Sequence, residues 1–313
     1  MSLVIVDSWR DLPPELKGAS VAIGAFDGVH LGHRAVIGAA GEAALRLGVP
    51  LGVATFEPHP RRWFEPDGAP FRLTNPSQQA QALDGLGVDI LYRLPFDQEM
   101  VRRSPEAFIS DLLVAGLGVR HVTVGFDFTF GARRAGKPEL LIAEGQRLGF
   151  EVEVVAPFQT PEGDKVSSSA IREALSTGRP EDATAMLGRP YTIQGVVVHG
   201  DHLGRTIGFP TANIAFDDFL RPAYGIYAAQ ATLEDGRRFD AAAYIGRRPA
   251  VGGKDERLEV NLFDFDEEIY GQVLTTKIIA FLRGDRWFES LDALKAQTAK
   301  DVARAKEILA GAG

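Results

Sequence analysis

GAFDGVHLGHRAVI, residues 24–37, leaves an apolar run through two glycines and enters a helical pattern, and this strand–turn–helix passage decides how the first half of the chain folds. Apolar runs of strand length recur on either side of it: VAIGAF (21–26), LGVATF (51–56), DILYRL (89–94), HVTVGF (121–126) and EVEVVA (151–156). Helix-like stretches at 33–47, 77–86, 105–115 and 138–148 lie between most of them. Strands apolar on both faces and separated by helices predict an α/β domain built on a doubly wound parallel sheet. Such sheets bind ligands beyond the carboxyl ends of their strands. The unusual residues of this half follow Phe26, Phe56 and Gly125, where strands end.

The rhythm changes near GRPYTI (188–193), and from there to about residue 283 the pattern is short strands with turn signals. ATLEDGRRFDAAAYI (231–245) sets Asp235-Gly236 between two apolar runs, the grammar of a hairpin. LEVNLFDFDEEIYGQVLTTKIIAFL (258–282) continues it, predicting a mostly β domain, a compact antiparallel sheet or barrel. Leu291, Leu294, Thr298, Val302, Ala305 and Leu309 then recur at three- and four-residue steps, a terminal helix capped by Ser290 or Glu289. The boundary falls within STGRPEDATAMLGRP (176–190), giving expected domains 1–182 and 183–313.

A chain of 313 residues with 45% hydrophobic and 24% charged side chains has the makings of about two soluble domains, each of roughly 100–200 residues. The absence of cysteine excludes disulfides, thiolate nucleophiles, cysteine-ligated zinc and iron–sulfur clusters. MSLVIVDSWRDLPP lacks the basic start of a signal peptide. No run approaches the ~18 apolar residues of a membrane span. A net charge of −8 argues against nucleic acid or anionic lipid as a partner, since phosphate contacts need a basic face. A cytoplasmic protein that meets phosphate with local groups is the expectation.

In the first half, His30 and His33 flank Gly32 at a helix start, on one side of it and beside unpaired backbone N–H groups. This suits a phosphate, with glycine allowing close approach and imidazoles donating. The alternative is two histidines solvated in a loop. VSSSAIREAL (166–175) offers Ser168, Ser169 and Arg172 as a second anion clamp, or simply an N-cap. TFEPHPRRWF (55–64) holds His59 between prolines, either a pocket residue or a rigid turn.

GAFDGVHLGH, TFEPHP, GFDFTFG (125–131) and SSSAIR (167–172), in that order, resemble the adenylyltransferase module of bacterial bifunctional riboflavin kinase/FAD synthetases, in the HxGH nucleotidyltransferase superfamily. The resemblance continues through the second half. It implies that His30 and His33, with Gly24, Phe26 and Gly32, hold the ATP phosphates while FMN phosphate attacks the α-phosphorus. Ser168, Ser169 and Arg172 would grip the triphosphate, and His59 and Asp127 would line the nucleotide and flavin pockets. Pyrophosphate would leave with Mg²⁺. The resembled clamp often reads S-S-T-R-I-R, whereas Ala170 here drops one arginine. If that arginine touched triphosphate, ATP would bind more weakly by about 1–3 kcal/mol. If it faced solvent, nothing changes.

HGDHLGRTIGFPTANI (199–214) frames a loop with glycines, and Thr211 and Asn213, two apart in an extended strand, offer hard oxygens to Mg²⁺. Its spacing fits neither a Walker loop nor a protein-kinase glycine loop. On its residues alone it is a phosphate loop or a barrel turn. GRTIGFPTAN resembles the riboflavin kinase signature, which assigns Gly204, Arg205, Thr206 and Gly208 to phosphate. In LEVNLFDF, alternation separates Glu259 and Asn261 from Leu258, Val260 and Leu262. The resembled pattern makes Glu259 the base for the ribityl hydroxyl; the plain alternative is an outward-facing glutamate. PAYGIYAAQ (222–230), AYIGRRPAVGG (243–253) and FLRGDRWF (281–288) resemble further kinase segments, with Tyr244 for asparagine, Ala250 for threonine and Asp285 for glutamate. Arg283 would face phosphate or flavin, and Trp287 would wall the flavin ring or join the core.

The expected activity is phosphorylation of riboflavin to FMN, then adenylylation of FMN to FAD. The rivals are a kinase whose other half has decayed, as Ala170 suggests, and a flavin-responsive regulator without turnover.

Overall fold

The computed structural model describes residues 2–161, 163–200, 204, 208–250 and 253–311. Contacts divide the chain into two units, one of 1–69 with 76–166 and the other of 70–75 with 167–313.

The first unit is a six-stranded, wholly parallel sheet of order β1-β4-β3-β2-β5-β6. Its strands are β1 (Val4–Val6), β2 (Ser20–Ile23), β3 (Leu51–Glu57), β4 (Ile90–Pro95), β5 (His121–Gly125) and β6 (Glu151–Val155). Its helices are α1 (Leu31–Leu47), α2 (Pro60–Phe64), α3 (Pro76–Asp84), α4 (Gln98–Arg102), α5 (Pro105–Ala107) and α6 (Pro138–Leu148). From α5 the chain passes into a π-helical stretch, Phe108–Gly116. Val36, Ile37, Ala40 and Ala44 of α1 pack on one face of the sheet with Val53 and Leu91. Ile109, Leu112, Leu113 and Leu141 cover the other with Ile23, Ala54, Tyr92 and Val122. Burial on both faces is why β2 to β5 read as mostly unbroken apolar runs, whereas β6 at the sheet's edge has no buried residue.

The order reverses at β2: β3 and β4 lie to one side of it and β5 and β6 to the other. Loops leaving β2 and β5 therefore part at a topological switch point, where open sheets form a crevice. The strand expected over 21–26 stops at Ile23. Beyond it Phe26, Gly28 and Val29 take positive φ values of 48°, 88° and 41°. A bulky aromatic and a β-branched residue in that region are uncommon and held only by their surroundings. Both are buried, at 1% exposure each.

The second unit holds α7 (Ser168–Ser176), α8 (Pro180–Leu187) and a closed antiparallel barrel. The barrel strands are β7 (Tyr191–Val198), β8 (Ala212–Ala215), β9 (Gly225–Thr232), β10 (Arg238–Ala250), β11 (Gly253–Leu262) and β12 (Val273–Gly284). They close in the order β10-β11-β8-β7-β12-β9, and α9 (Leu291–Ala310) follows. Ser290 is the cap of α9, its Oγ accepting from the Ala293 N–H at 3.2 Å. The contact division falls ahead of the expected 182/183 boundary because α7 is bonded to the barrel side: the Ala223 N–H donates to the Leu175 carbonyl at 2.9 Å. Residues 70–75 join the same unit by a bridge the sequence does not announce. There the Arg72 N–H donates to the Asp218 carbonyl at 3.0 Å, and the Leu220 N–H to that of Arg72 at 2.8 Å.

Candidate functional site

In the first unit, α1 begins where the strained turn after β2 ends. His30 is its N-cap and is buried, with Nδ1 accepting from the His33 N–H at 3.2 Å. An accepting Nδ1 carries no proton, which leaves Nε2–H as a donor. The two imidazoles stack, centroids 3.5 Å apart at 17°. Phe26 meets His33 edge-on at 5.2 Å, so the strained residue braces the second histidine. Gly32 sits close under the cap: a Cβ there would stand 3.2 Å from the His30 ring, which would have to give by a few tenths of an ångström. Gly24 continues the sheet, its N–H donating to the Ala54 carbonyl at 3.1 Å. Two side chains that sequence reasoning missed pin the turn. Gln79 Nε2 donates at 2.9 Å, and Thr55 Oγ1 at 3.1 Å, to the same Ala25 carbonyl. Buried polar side chains at 79 and 55 carried no local signal, because their partner is a backbone atom distant in sequence.

His59 caps α2, Nδ1 accepting from the Arg61 N–H at 3.1 Å, after a cis Glu57-Pro58 bond. Asp127 lies beyond β5 and receives Lys165 Nζ at 3.2 Å, while that ammonium also stands 4.7 Å from the Phe126 ring. Lys165 was not singled out from the sequence.

In the second unit, Ser167 is the N-cap of α7, its Oγ accepting from the Ala170 N–H at 3.2 Å, so Ser168 and Ser169 form the first helical turn. Arg172 donates from Nε to the Phe71 carbonyl at 2.9 Å, and its guanidinium lies 5.5 Å from that ring.

On the barrel, register lines up the residues read as kinase machinery. Glu259 on β11 pairs with Asn213 on β8 and with Tyr244 on β10. Tyr244 pairs with Ile226 on β9, which pairs with Arg283 on β12. Directly opposed residues share a face, so five strands present Asn213, Glu259, Tyr244, Ile226 and Arg283 in one row. Leu258 and Val260 are fully buried and Leu262 nearly so. The alternation read from LEVNLFDF thus sends its apolar set inward and Glu259 outward.

Asn213 is itself buried, and its Oδ1 has no hydrogen-bond partner among the described residues. Gly200 approaches it closely: a Cβ there would stand 2.3 Å from Asn213 Nδ2. The Phe209 N–H donates to the Gly204 carbonyl at 2.8 Å, Gly208 turns with φ 87°, and Asn261 Nδ2 holds the Pro210 carbonyl at 2.7 Å. Arg205 and Thr206 lie outside the described residues. Beside Thr211 opens a cavity of about 310 Å³, walled by Val197, Leu262, Phe265, Ile269 and Tyr270 with Asp266, Glu267 and Glu268 at its margin.

Arg283 is committed within its own unit, where Nη2 reaches Asp301 Oδ2 at 2.7 Å and Nε both carboxylate oxygens at 3.1 Å. That pairing anchors α9 to the end of β12. Trp287 is 81% exposed, so of its two readings the core is excluded. A cluster missed from sequence supports β10 and β11: Glu256 accepts from Tyr224 at 2.5 Å, Arg221 at 2.8 Å and Arg247 at 3.2 Å. Burial pushes the Glu256 carboxyl up, but the hydrogen bonds from Tyr224, Arg221 and Arg247, with the Arg221 charge, together hold it below its ordinary pKa.

An FAD synthetase family model matches residues 12–170, and a riboflavin kinase family model matches residues 187–309. The chain is 40% identical over 291 residues to the bifunctional riboflavin kinase/FMN adenylyltransferase of Haemophilus influenzae, covering 93% of this chain and 94% of that one. The Pseudomonas fluorescens protein of the same name is 40% identical over 307 residues, covering 98% of each. A crystal structure described as a macrolide-efflux protein from Streptococcus pneumoniae superposes with a TM-score of 0.85 at 31% identity, covering 98% of this chain and 99% of that one. Efflux is said of that protein; among the described residues here, no helix is long and apolar enough to cross a membrane. Matched in both halves, in order and nearly end to end, the chain is an ATP-using transferase of the bifunctional riboflavin kinase/FMN adenylyltransferase family.

Proposed function

We propose that this chain makes FMN on its barrel and FAD with its parallel-sheet unit, and that Asn213 and Glu259 form the reacting face of the kinase. The alignment of Glu259 with a buried asparagine oxygen in register carries this reading. Glu259 takes the proton of the ribityl 5′-hydroxyl as its oxygen attacks the γ-phosphorus and ADP leaves. Asn213 Oδ1 and the Thr211 hydroxyl suit Mg²⁺: both are hard oxygens, and the buried, unsatisfied Oδ1 is the kind of atom a cation completes. That ion, when bound, neutralises charge on the transferred phosphoryl group. The cavity beside Thr211 takes the nucleoside of ATP, since its walls are apolar and aromatic while its acidic margin repels phosphates. Phosphate falls to Gly204, Arg205, Thr206 and Gly208.

For adenylylation, His30 and His33 donate to the non-bridging oxygens at the α1 N-terminus, where backbone N–H groups add positive potential. Nothing covalent is asked of the protein: positioning and neutralised charge suffice for FMN phosphate to displace pyrophosphate. In this reading His59 and Asp127 line the pockets. Acidic charge and the absence of cysteine support a cytoplasmic enzyme.

The test is chromatography of riboflavin with MgATP, followed for FMN and then FAD. Glu259→Gln is expected to lower FMN formation by about 100-fold or more, the scale of general-base catalysis, while FAD still forms from supplied FMN. Loss of both products together would overturn the assignment to separate sites.

A further inference from the structure

Tyr244 and Asp285, two positions at which the kinase-like segments depart from the resembled pattern, meet in space. The Tyr244 hydroxyl donates to Asp285 Oδ2 at 3.0 Å. Register sets Tyr244 directly across from Glu259, so phenol and carboxylate rise from one face of the barrel. Room for the phenol comes from Gly246, two residues along the same strand, where a Cβ would stand only 2.0 Å from the Tyr244 oxygen. Burial first, and then the negative charges of Asp285 and Glu259, push the phenol above its ordinary pKa, so it remains a donor wherever the enzyme works.

The segment bearing Asp285 is also fixed from behind. Its N–H donates to the Tyr224 carbonyl at 3.3 Å. Arg283 is clasped by Asp301 of α9, Gln297 Nε2 donates to the same carboxylate at 2.7 Å, and Arg286 bonds Gln297. Residues 283–286 are thus a short bridge between the polar side of α9 and the face bearing Glu259, with exposed Trp287 next in the chain.

We infer that the Tyr244–Asp285 hydrogen bond is a positioning device for riboflavin in the kinase reaction, holding the 284–288 segment against the strand face that carries Glu259. It rests on the kinase reading above. The bond moves no proton to substrate; it fixes where the flavin end of riboflavin sits, and hence where its ribityl hydroxyl meets the base.

The experiment is steady-state kinase kinetics on the full chain carrying Tyr244→Phe, Asp285→Ala, or both. Each single change is expected to raise KM for riboflavin about five- to tenfold, the worth of one neutral-to-charged hydrogen bond. The expected kcat stays within about twofold and KM for ATP is unchanged. The double variant is expected to be no worse than the poorer single, because the two share one interaction. Asp285→Asn, which keeps an acceptor in place, is expected to recover most of the affinity, a rescue that general damage to the fold would not permit. An unchanged riboflavin KM in Tyr244→Phe, effects that multiply in the double, or Asp285→Asn behaving like Asp285→Ala would each overturn the inference. Glu259→Gln separates the levels: if it kills FMN formation while Tyr244→Phe leaves KM alone, only the positioning role fails.

Discussion

Thr276 is fully buried on the inner face of β12, between Leu274 and Ile278, and its Oγ1 has no hydrogen-bond partner among the described residues. A buried hydroxyl without a partner costs roughly 1–3 kcal/mol. Thr276→Val keeps the shape and removes the penalty, so denaturant unfolding of this variant is expected to gain about 1 kcal/mol; a loss of stability would mean that the hydroxyl is satisfied. His121 presents the opposite case, a buried polar group that is engaged. Ser20 Oγ lies 2.9 Å from its Nδ1, and Glu153 Oε2 3.9 Å from its Nε2. Burial outweighs the pull of Glu153 and Glu151 and holds the imidazole below its ordinary value of 6.5. As pH falls through that value the unfolded chain takes up a proton that the folded chain refuses, so stability falls with it. Melting temperature is expected to drop between about pH 7 and 5, and to drop less in His121→Gln. Equal slopes in the two proteins would show that another group governs acid sensitivity.

At the scale of elements, α9 is attached through charge as well as apolar packing. Asp301 is 6% exposed and pairs with Arg283 of β12, while Ala305 and Leu309 pack on Ala228 and Phe263. Removing one partner of a buried pair leaves the other charge uncompensated, at about 3–5 kcal/mol. Asp301→Ala is therefore expected to destabilise the barrel unit by roughly that amount, read as an early calorimetric transition, and to impair FMN formation through the 283–286 bridge. The helix periodicity and the Ser290 cap were legible because both are local. So were β2 to β5 of the first sheet, since strands buried on two faces are written as apolar runs, and β6, whose valines alternate with exposed glutamates. The edge strand β1 was not. It spans Val4–Val6, with Val4 42% and Ile5 43% exposed, too short and too exposed to announce itself. The strand expected to reach Phe26 ends at Ile23, because positive φ at 26 and 29 is imposed by packing that no β-propensity records.

Across the whole molecule, two reactions assigned to two units make a prediction that neither site makes alone. His33→Ala is expected to keep the kinase and stop FAD synthesis, and Glu259→Gln the reverse. Mixed together, the two variants are expected to turn riboflavin into FAD by passing free FMN from one protein to the other, after a lag that shortens with concentration. Absence of FAD from the mixture would place both activities on shared residues.

Residue order alone determined that a doubly wound α/β module precedes a small β-barrel, and that two histidines, a glycine-framed loop and one glutamate are the chemical candidates. Those signals depend on spacing, which the chain carries intact whether folded or not. Tertiary structure alone decided which groups meet: Glu259 beside Asn213 and Tyr244, Arg283 bound to Asp301, Tyr244 joined to Asp285. Strand register and helix docking fix these pairings by burying apolar side chains elsewhere in the barrel, so their cause lies in residues far along the sequence from the groups they bring together.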